Sequence, residues 1–179
     1  VLYDHFVAVA EASKIPILVY NVPQFTGVNM VPSLVGRLSR HPNIVGIKDS
    51  SGNIDQLTRI IYESEDGFNV FVGSAPVFFP ALCVGAVGGI LAVANALPEL
   101  CTRLMDLYGQ GAYKEALALQ NRLTPMAIAV TGTYGIGGLK KVMDRLGYRG
   151  GLPRLPLKAI TAEAENDLNR LLETIKDLI

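Results

Sequence analysis

Three observations predict an α/β fold built on a parallel sheet. Short apolar runs rich in branched residues alternate with segments of helical periodicity four times within residues 1–99. The runs are apolar at consecutive positions, as in parallel strands covered by helices on both faces, rather than strictly alternating. From residue 100 onward the pattern turns to helices alone.

Taken in order, residues 1–12 have the spacing of an amphipathic helix, and residues 15–20 (IPILVY) read as a first buried strand closed by Asn21, Pro23 and Gly27. Residues 32–40 are helical up to His41-Pro42, where the proline forbids continuation. Residues 44–48 (IVGIK) form the second strand. Residues 53–64 open on a capping asparagine and place Ile54, Leu57, Ile60 and Ile61 on one face, a helix. Residues 68–72 (FNVFV) are the third strand, 76–84 a short helix with proline in its first turn, and 89–93 (GILAV) the fourth strand. Helices follow at 100–108, 113–130, 139–146 and 162–179. Such βα alternation closes either an open doubly wound sheet or a barrel. An eight-stranded barrel needs roughly 250 residues, so four strands and a helical tail are expected to be the back part of something larger.

Composition narrows the function. With 179 residues, half of them hydrophobic, the chain can build a substantial core and is not disordered. Lys plus Arg and Asp plus Glu are equal at 16 each, and the longest basic run is Lys140-Lys141, so no nucleic-acid footprint exists. Cys83 and Cys101 lack metal or disulfide spacing and read as core residues in a reducing compartment, cytoplasmic or mitochondrial. Residues 68–98 carry no charge, long enough to span a bilayer, but prolines, glycines and asparagines break the run into strand-sized and helix-sized pieces, so no membrane partner is expected. The start Val-Leu-Tyr-Asp-His has no initiator Met and no signal-peptide character, the expectation for a fragment.

In parallel α/β folds, functional groups stand at the C-terminal ends of strands. Here those ends are Tyr20-Asn21, Lys48-Asp49-Ser50, Gly73-Ser74 and Ala94-Asn95. A lysine there that points into an apolar interior loses solvation of its ammonium form, which frees the amine to attack carbonyls. Alternatively Lys48 leaves the strand for solvent or pairs with Asp49. Tyr20, on the neighbouring strand end, adds a phenol able to relay protons, or an aromatic packed on a helix.

Tyr20-Asn21-Val22-Pro23 with Thr26-Gly27, then Gly46-Ile47-Lys48-Asp49-Ser50, Gly73-Ser74, Gly88-Gly89-Ile90 with Ala94-Asn95, Gly137-Gly138-Leu139-Lys140-Lys141 and Leu155-Pro156-Leu157 together resemble the dihydrodipicolinate synthase/N-acetylneuraminate lyase family. The resemblance covers nearly the whole chain. It implies a (β/α)8 TIM barrel, with residues 1–99 as its later half and 100–179 as the last barrel helix and C-terminal helical region. It further implies a pyruvate-dependent class I aldolase in which Lys48 forms the imine, Tyr20 relays protons, and Ser50 with the backbone at Gly73 and Ile90 lines the substrate pocket. The partner implied is a small 2-oxo acid, the assembly a homotetramer or homodimer, and neither metal nor organic cofactor is called for.

Family synthases that use aspartate semialdehyde usually carry an arginine where this chain has Phe25, which cannot pair with a carboxylate, and Gly-Asp-Asp where it has Gly73-Ser74-Ala75. The phrases HPNIVGIKDSSGN, GSA, GAVGGILAVAN and GIGGLKKVMD resemble most the 4-hydroxy-2-oxoglutarate aldolases, which release pyruvate and glyoxylate. Dihydrodipicolinate synthase, a 2-keto-3-deoxy sugar acid aldolase and N-acetylneuraminate lyase are the alternatives. Because the resembled family draws its carboxylate-gripping hydroxyls and an interface tyrosine from its earlier half, an inactive truncated barrel is the non-enzyme alternative.

Two weaker signals are set aside. The glycine-rich TGTYGIGG at 131–138 lacks phosphate-loop spacing and reads as a hinge or helix-start loop. His5 and His41 have no triad or metal partners and read as surface or capping residues.

Overall fold

The structure is a computed structural model that describes residues 1–179. It divides into two compact units, Val1–Ile90 and Leu91–Ile179.

The first unit holds a four-stranded parallel sheet in the order β1-β2-β3-β4, with β1 Ile17–Asn21, β2 Ile44–Asp49, β3 Asn69–Val72 and β4 Gly88–Gly89. Sequence order equals spatial order, so each crossover carries the next strand one place along. The crossovers contain α2 Pro23–Thr26 and α3 Pro32–Leu38, then α4 Ile54–Glu63, then α5 Phe78–Cys83; α1 Leu2–Ala12 precedes β1. Val19, Ile47, Val70 and Val72 on the sheet and Val35, Leu38, Leu57, Ile60, Phe78 and Leu82 on the helices are all buried, so the core lies between sheet and helix layer. Burying such side chains is the main driving force for this unit, about 1.5–3 kcal/mol each.

Local chemistry sets the element ends. The Asn53 side chain accepts from the Gln56 amide at 3.0 Å and starts α4 as its cap. α3 stops at Leu38, two residues short of expectation. There the Ser39 hydroxyl donates to the Gly36 carbonyl at 2.8 Å and accepts from the Glu65 amide at 2.9 Å, drawing the chain aside. The apolar stretch after β3 splits into a 3₁₀ turn, Ala75–Val77, and α5.

Two expectations are corrected. The fourth strand is only Gly88–Gly89, because its neighbour β3 ends at Val72: the Ile90 amide donates to the Val72 carbonyl at 2.9 Å, and beyond that bond no ladder partner remains. The strands are also not buried on both faces. Val19 and Asn21 of β1 are buried, whereas Leu18 and Tyr20, which alternate with them, are exposed, since the helices cover one side only.

The second unit opens with a 3₁₀ turn, Ala92–Asn95, and continues as α6 Pro98–Gly109, α7 Tyr113–Ile128, α8 Gly135–Arg145 and α9 Ala162–Thr174. Leu100, Leu104, Leu123, Met126, Val142 and Leu168 form its core. The Thr161 hydroxyl accepts from the Ala164 amide and caps α9. TGTYGIGG is not a loop but almost wholly helical: after Pro125, which has no N–H to donate, the helix widens into a π turn, Ala129–Thr133, where the Tyr134 amide reaches the Ala129 carbonyl at 2.8 Å. Gly138 is needed just after it, because a Cβ there would stand 2.6 Å from that of Tyr134. No helix is long and apolar enough to cross a membrane.

Candidate active site

β1 ends in Tyr20-Asn21 and β2 in Lys48-Asp49, and the ladder pairs them rung by rung, Tyr20 with Lys48 and Asn21 with Asp49. Because successive side chains alternate across a strand, the first pair faces the open side of the sheet and the second the helix layer. The next strand adds Phe71 to the open-face row, opposite Lys48.

The Lys48 ammonium nitrogen lies 4.3 Å from the centre of the Tyr20 ring, within cation–π range. The Ser50 hydroxyl approaches the Tyr20 phenol oxygen at 3.5 Å, so amine, phenol and hydroxyl converge at the ends of two strands. Lys48 is half-buried and Tyr20 is 48% exposed, so the site is open rather than enclosed in an apolar interior. The alternative in which Lys48 pairs with Asp49 fails, since Asp49 is buried on the other face.

Gly73 sits directly against this group. A Cβ on it would lie 1.8 Å from the Ser50 hydroxyl oxygen and 2.9 Å from Cε of Lys48, so only glycine lets the β3 end pass this close. The backbone amides of Gly73 and Ile90 donate to the Asp49 and Val72 carbonyls at 2.7 and 2.9 Å. Committed to the ladder, they have no N–H to offer a ligand, which limits these residues to their carbonyl oxygens and Cα surfaces. Asn95 closes its own turn on the Ala92 carbonyl at 2.9 Å and does not stand at a strand end.

Several contributors escaped sequence reasoning. The Gln24 side chain donates to the carbonyls of Ser50 and Ser51 at 3.0 and 3.3 Å and ties the segment after β1 to the turn after β2. Behind the site, Asn21 donates to Asp49 at 2.6 Å in a buried polar cluster with Gln56, which the exposed Asn29 closes at its edge. The alternation of Asn21 and Asp49 with Tyr20 and Lys48 was a usable signal; nothing in the spacing marks Gln24, Asn29 or Gln56. Phe25, on α2, is 87% exposed.

No group of three His, Cys, Asp or Glu side chains is placed to hold a metal ion. In the second unit a cavity of about 190 Å³ is lined by Lys141, Asp144, Ile160 and Glu165, where Lys141 and Arg145 hold the Glu165 carboxylate and Asp144 accepts from the Gly150 and Gly151 amides.

Residues 1–175 match the Dihydrodipicolinate synthetase family. A 4-hydroxy-tetrahydrodipicolinate synthase of Archaeoglobus fulgidus is 36% identical over 98% of this chain and 61% of its own length. One of Methanosphaerula palustris is 39% identical over 97% of this chain and 60% of its own. Among solved structures, dihydrodipicolinate synthase DapA-2 of Bacillus anthracis superposes with a TM-score of 0.91 at 30% identity, covering 96% of this chain and 59% of that one. Dihydrodipicolinate synthase of Aquifex aeolicus gives 0.90 at 28%, covering 98% and 60%. The chain thus spans about three-fifths of the length of the relatives it matches.

Proposed function

The chain belongs to the Dihydrodipicolinate synthetase family, and on that premise we propose that it carries the imine-forming part of a pyruvate-dependent class I aldolase. The observation that carries this reading is the shared rung of Lys48 and Tyr20, with the amine over the phenol ring and Ser50 beside its hydroxyl.

In this reading the neutral Lys48 amine attacks the C2 ketone of a 2-oxo acid. Tyr20 relays the protons as water leaves the carbinolamine. As the C4 hydroxyl passes its proton to Tyr20, the protonated imine accepts the electron pair of the breaking C3–C4 bond and the aldehyde leaves; Tyr20 returns the proton to C3 of the enamine, and the resulting imine is hydrolysed to pyruvate. Ser50 holds the phenol, and the carbonyl edges at Gly73 and Ile90 line the substrate. The lysine supplies the covalent chemistry, so neither metal nor organic cofactor takes part. The parallel βα order fits a part of a (β/α)8 barrel, with residues 1–99 in the barrel and 100–179 as its last helix and tail. A homodimer or homotetramer is the assembly expected of it.

For the aldehyde, the resemblance of HPNIVGIKDSSGN, GSA, GAVGGILAVAN and GIGGLKKVMD to 4-hydroxy-2-oxoglutarate aldolases supports cleavage of that diacid to pyruvate and glyoxylate, while Phe25 in place of an arginine weakens the case for aspartate semialdehyde. The names of the relatives favour a second reading, condensation of pyruvate with aspartate semialdehyde. Comparing turnover of the two separates them, and faster use of the semialdehyde overturns the first.

The imine is tested by incubating the chain with pyruvate and sodium borohydride and mapping the mass adduct. It is expected on Lys48 and absent in Lys48→Ala, with circular dichroism showing that both remain folded. A folded chain that gains no adduct at Lys48 refutes the proposal.

A further inference from the structure

Behind the Tyr20–Lys48 rung lies a rung of two polar residues that the proposed chemistry does not use. Asn21 and Asp49 are each 1% exposed, placed between the sheet and its helices. A carboxylate in such a place is strongly destabilising unless it is fully hydrogen-bonded. Here its donors are neutral: the Asn21 amide at 2.6 Å, the Gln56 amide at 3.1 Å and the Ser51 hydroxyl. Asn21 is itself fully engaged, donating to Asn29 at 2.9 Å and accepting from the Met30 amide at 3.0 Å through its carbonyl oxygen. Asn29 closes the circuit by donating to Gln56 at 2.7 Å. No buried side-chain nitrogen or oxygen is left without a partner.

Apolar side chains of similar size would fill the same space without the desolvation penalty, so what the polar cluster adds is direction. It joins β1 and the segment after β1 to β2, the turn after β2 and the first turn of α4, with Asp49 accepting from Asn21, Ser51 and Gln56. Fixing this rung fixes the backbone from which Tyr20 and Lys48 project on the other face.

We infer that Asn21 and Asp49 are positioning residues that set the placement of Lys48 over Tyr20, acting through the paired strand backbones. The inference rests on the aldolase reading for its purpose, but its geometry can be tested without it. Asp49→Asn removes one of the two acceptor oxygens, so its carboxamide nitrogen must stand either against the Asn21 and Gln56 amides or where the Ser51 hydroxyl now donates. The exchanged pair, Asn21→Asp with Asp49→Asn, restores one donor and one acceptor across the rung.

The experiment uses the 179-residue chain and two readouts. The first is the rate of the pyruvate and borohydride adduct at saturating pyruvate. The second is the acetylation rate of Lys48 by acetic anhydride relative to exposed Lys114 in the same molecule, which needs no substrate. Asp49→Asn is expected to slow adduct formation about tenfold to a hundredfold, as for small misplacements of reacting groups. It is also expected to raise the Lys48 to Lys114 acetylation ratio as the amine leaves the ring. The exchanged pair should return both toward the wild type. A purely structural role would lower the urea midpoint yet leave the ratio unchanged in the folded chain.

An unchanged ratio in Asp49→Asn, or an exchanged pair no nearer the wild type, overturns the inference. Should Asp49→Asn fail to fold, Ser51→Ala removes a single donor and must move the ratio in the same direction, and no movement overturns it. A wild-type chain without adduct defeats the aldolase reading, while the acetylation ratios still decide the positioning role.

Discussion

Replacing Gly73 by alanine tests the packing of the site. The new Cβ would overlap the Ser50 hydroxyl oxygen at 1.8 Å, and it would also meet Ser50 Cβ and Lys48 Cε, each at 2.9 Å. Rotating Ser50 removes the first conflict but not the second, because a Cβ is fixed by the backbone. The end of β3 must therefore shift. Overpacking of this kind costs about 1–3 kcal/mol, and with a urea slope of about 2 kcal/mol/M the midpoint falls by about 0.5–1.5 M. Urea unfolding followed by hydrogen exchange of the sheet amides reports the first unit alone. The same variant should lose most of its borohydride-trapped adduct, since Lys48 is pushed from Tyr20. Adding Ser50→Gly removes both Ser50 conflicts, so the double variant should be more stable than the sum of its parts by about 1 kcal/mol. A Gly73→Ala chain with an unchanged midpoint, or strict additivity with Ser50→Gly, refutes the reasoning.

Three further outcomes are expected. Tyr20→Phe keeps the ring under the Lys48 ammonium but removes the phenol, so turnover should fall about 10²–10⁴-fold while the urea midpoint stays within error; equal turnover would remove Tyr20 from the proton path. In the second unit, hydrogen bonds from Lys141, then Arg145, hold the Glu165 carboxyl below the usual carboxylate range. Its contribution to stability is therefore present above the unfolded value of about 4.3 and is lost as pH falls through the folded one. Glu165→Gln should flatten this acid limb in a series of urea midpoints, and an unaltered limb would contradict it. Finally, burial pushes the Cys101 thiol up to about 11, whereas Cys83, expected from the sequence to be a core residue, is exposed. A thiol reagent at mildly alkaline pH should modify Cys83 and spare Cys101 until the chain unfolds, as mapped by peptide mass.

How much of this the sequence disclosed follows the range of the interactions. Continuous apolar runs placed the first three strands within a few residues, because branched residues and flanking turn chemistry are local signals. GILAV misled because whether Ile90 to Val93 form a ladder depends on the length of β3, a property of another segment. TGTYGIGG misled because two of its glycines serve close approach, Gly138 to Tyr134 and Gly137 to Lys158, where an added Cβ would stand 2.9 Å from the carbonyl oxygen, while only Gly135, at φ +55°, uses the freedom of a turn. At the site, Lys48 and Tyr20 were legible from their places at successive strand ends. Gln24, Asn29 and Gln56 were not, since the bonds that tie Gln24 to Ser50 and Ser51 and Asn29 to Gln56 join segments 26 to 27 residues apart.

The bare face of the sheet bears on timing. With Tyr20 48% exposed and Leu18 beside it also open, bulk water stands next to any imine formed on Lys48. An iminium in that setting partitions between two fates, return to ketone by hydration or onward bond cleavage, and ready access of solvent speeds the first. For the chain alone, adducts should turn over quickly and be caught only by a reductant present from the start. The longer an adduct survives before the reductant is added, the more completely something has come to shelter that face.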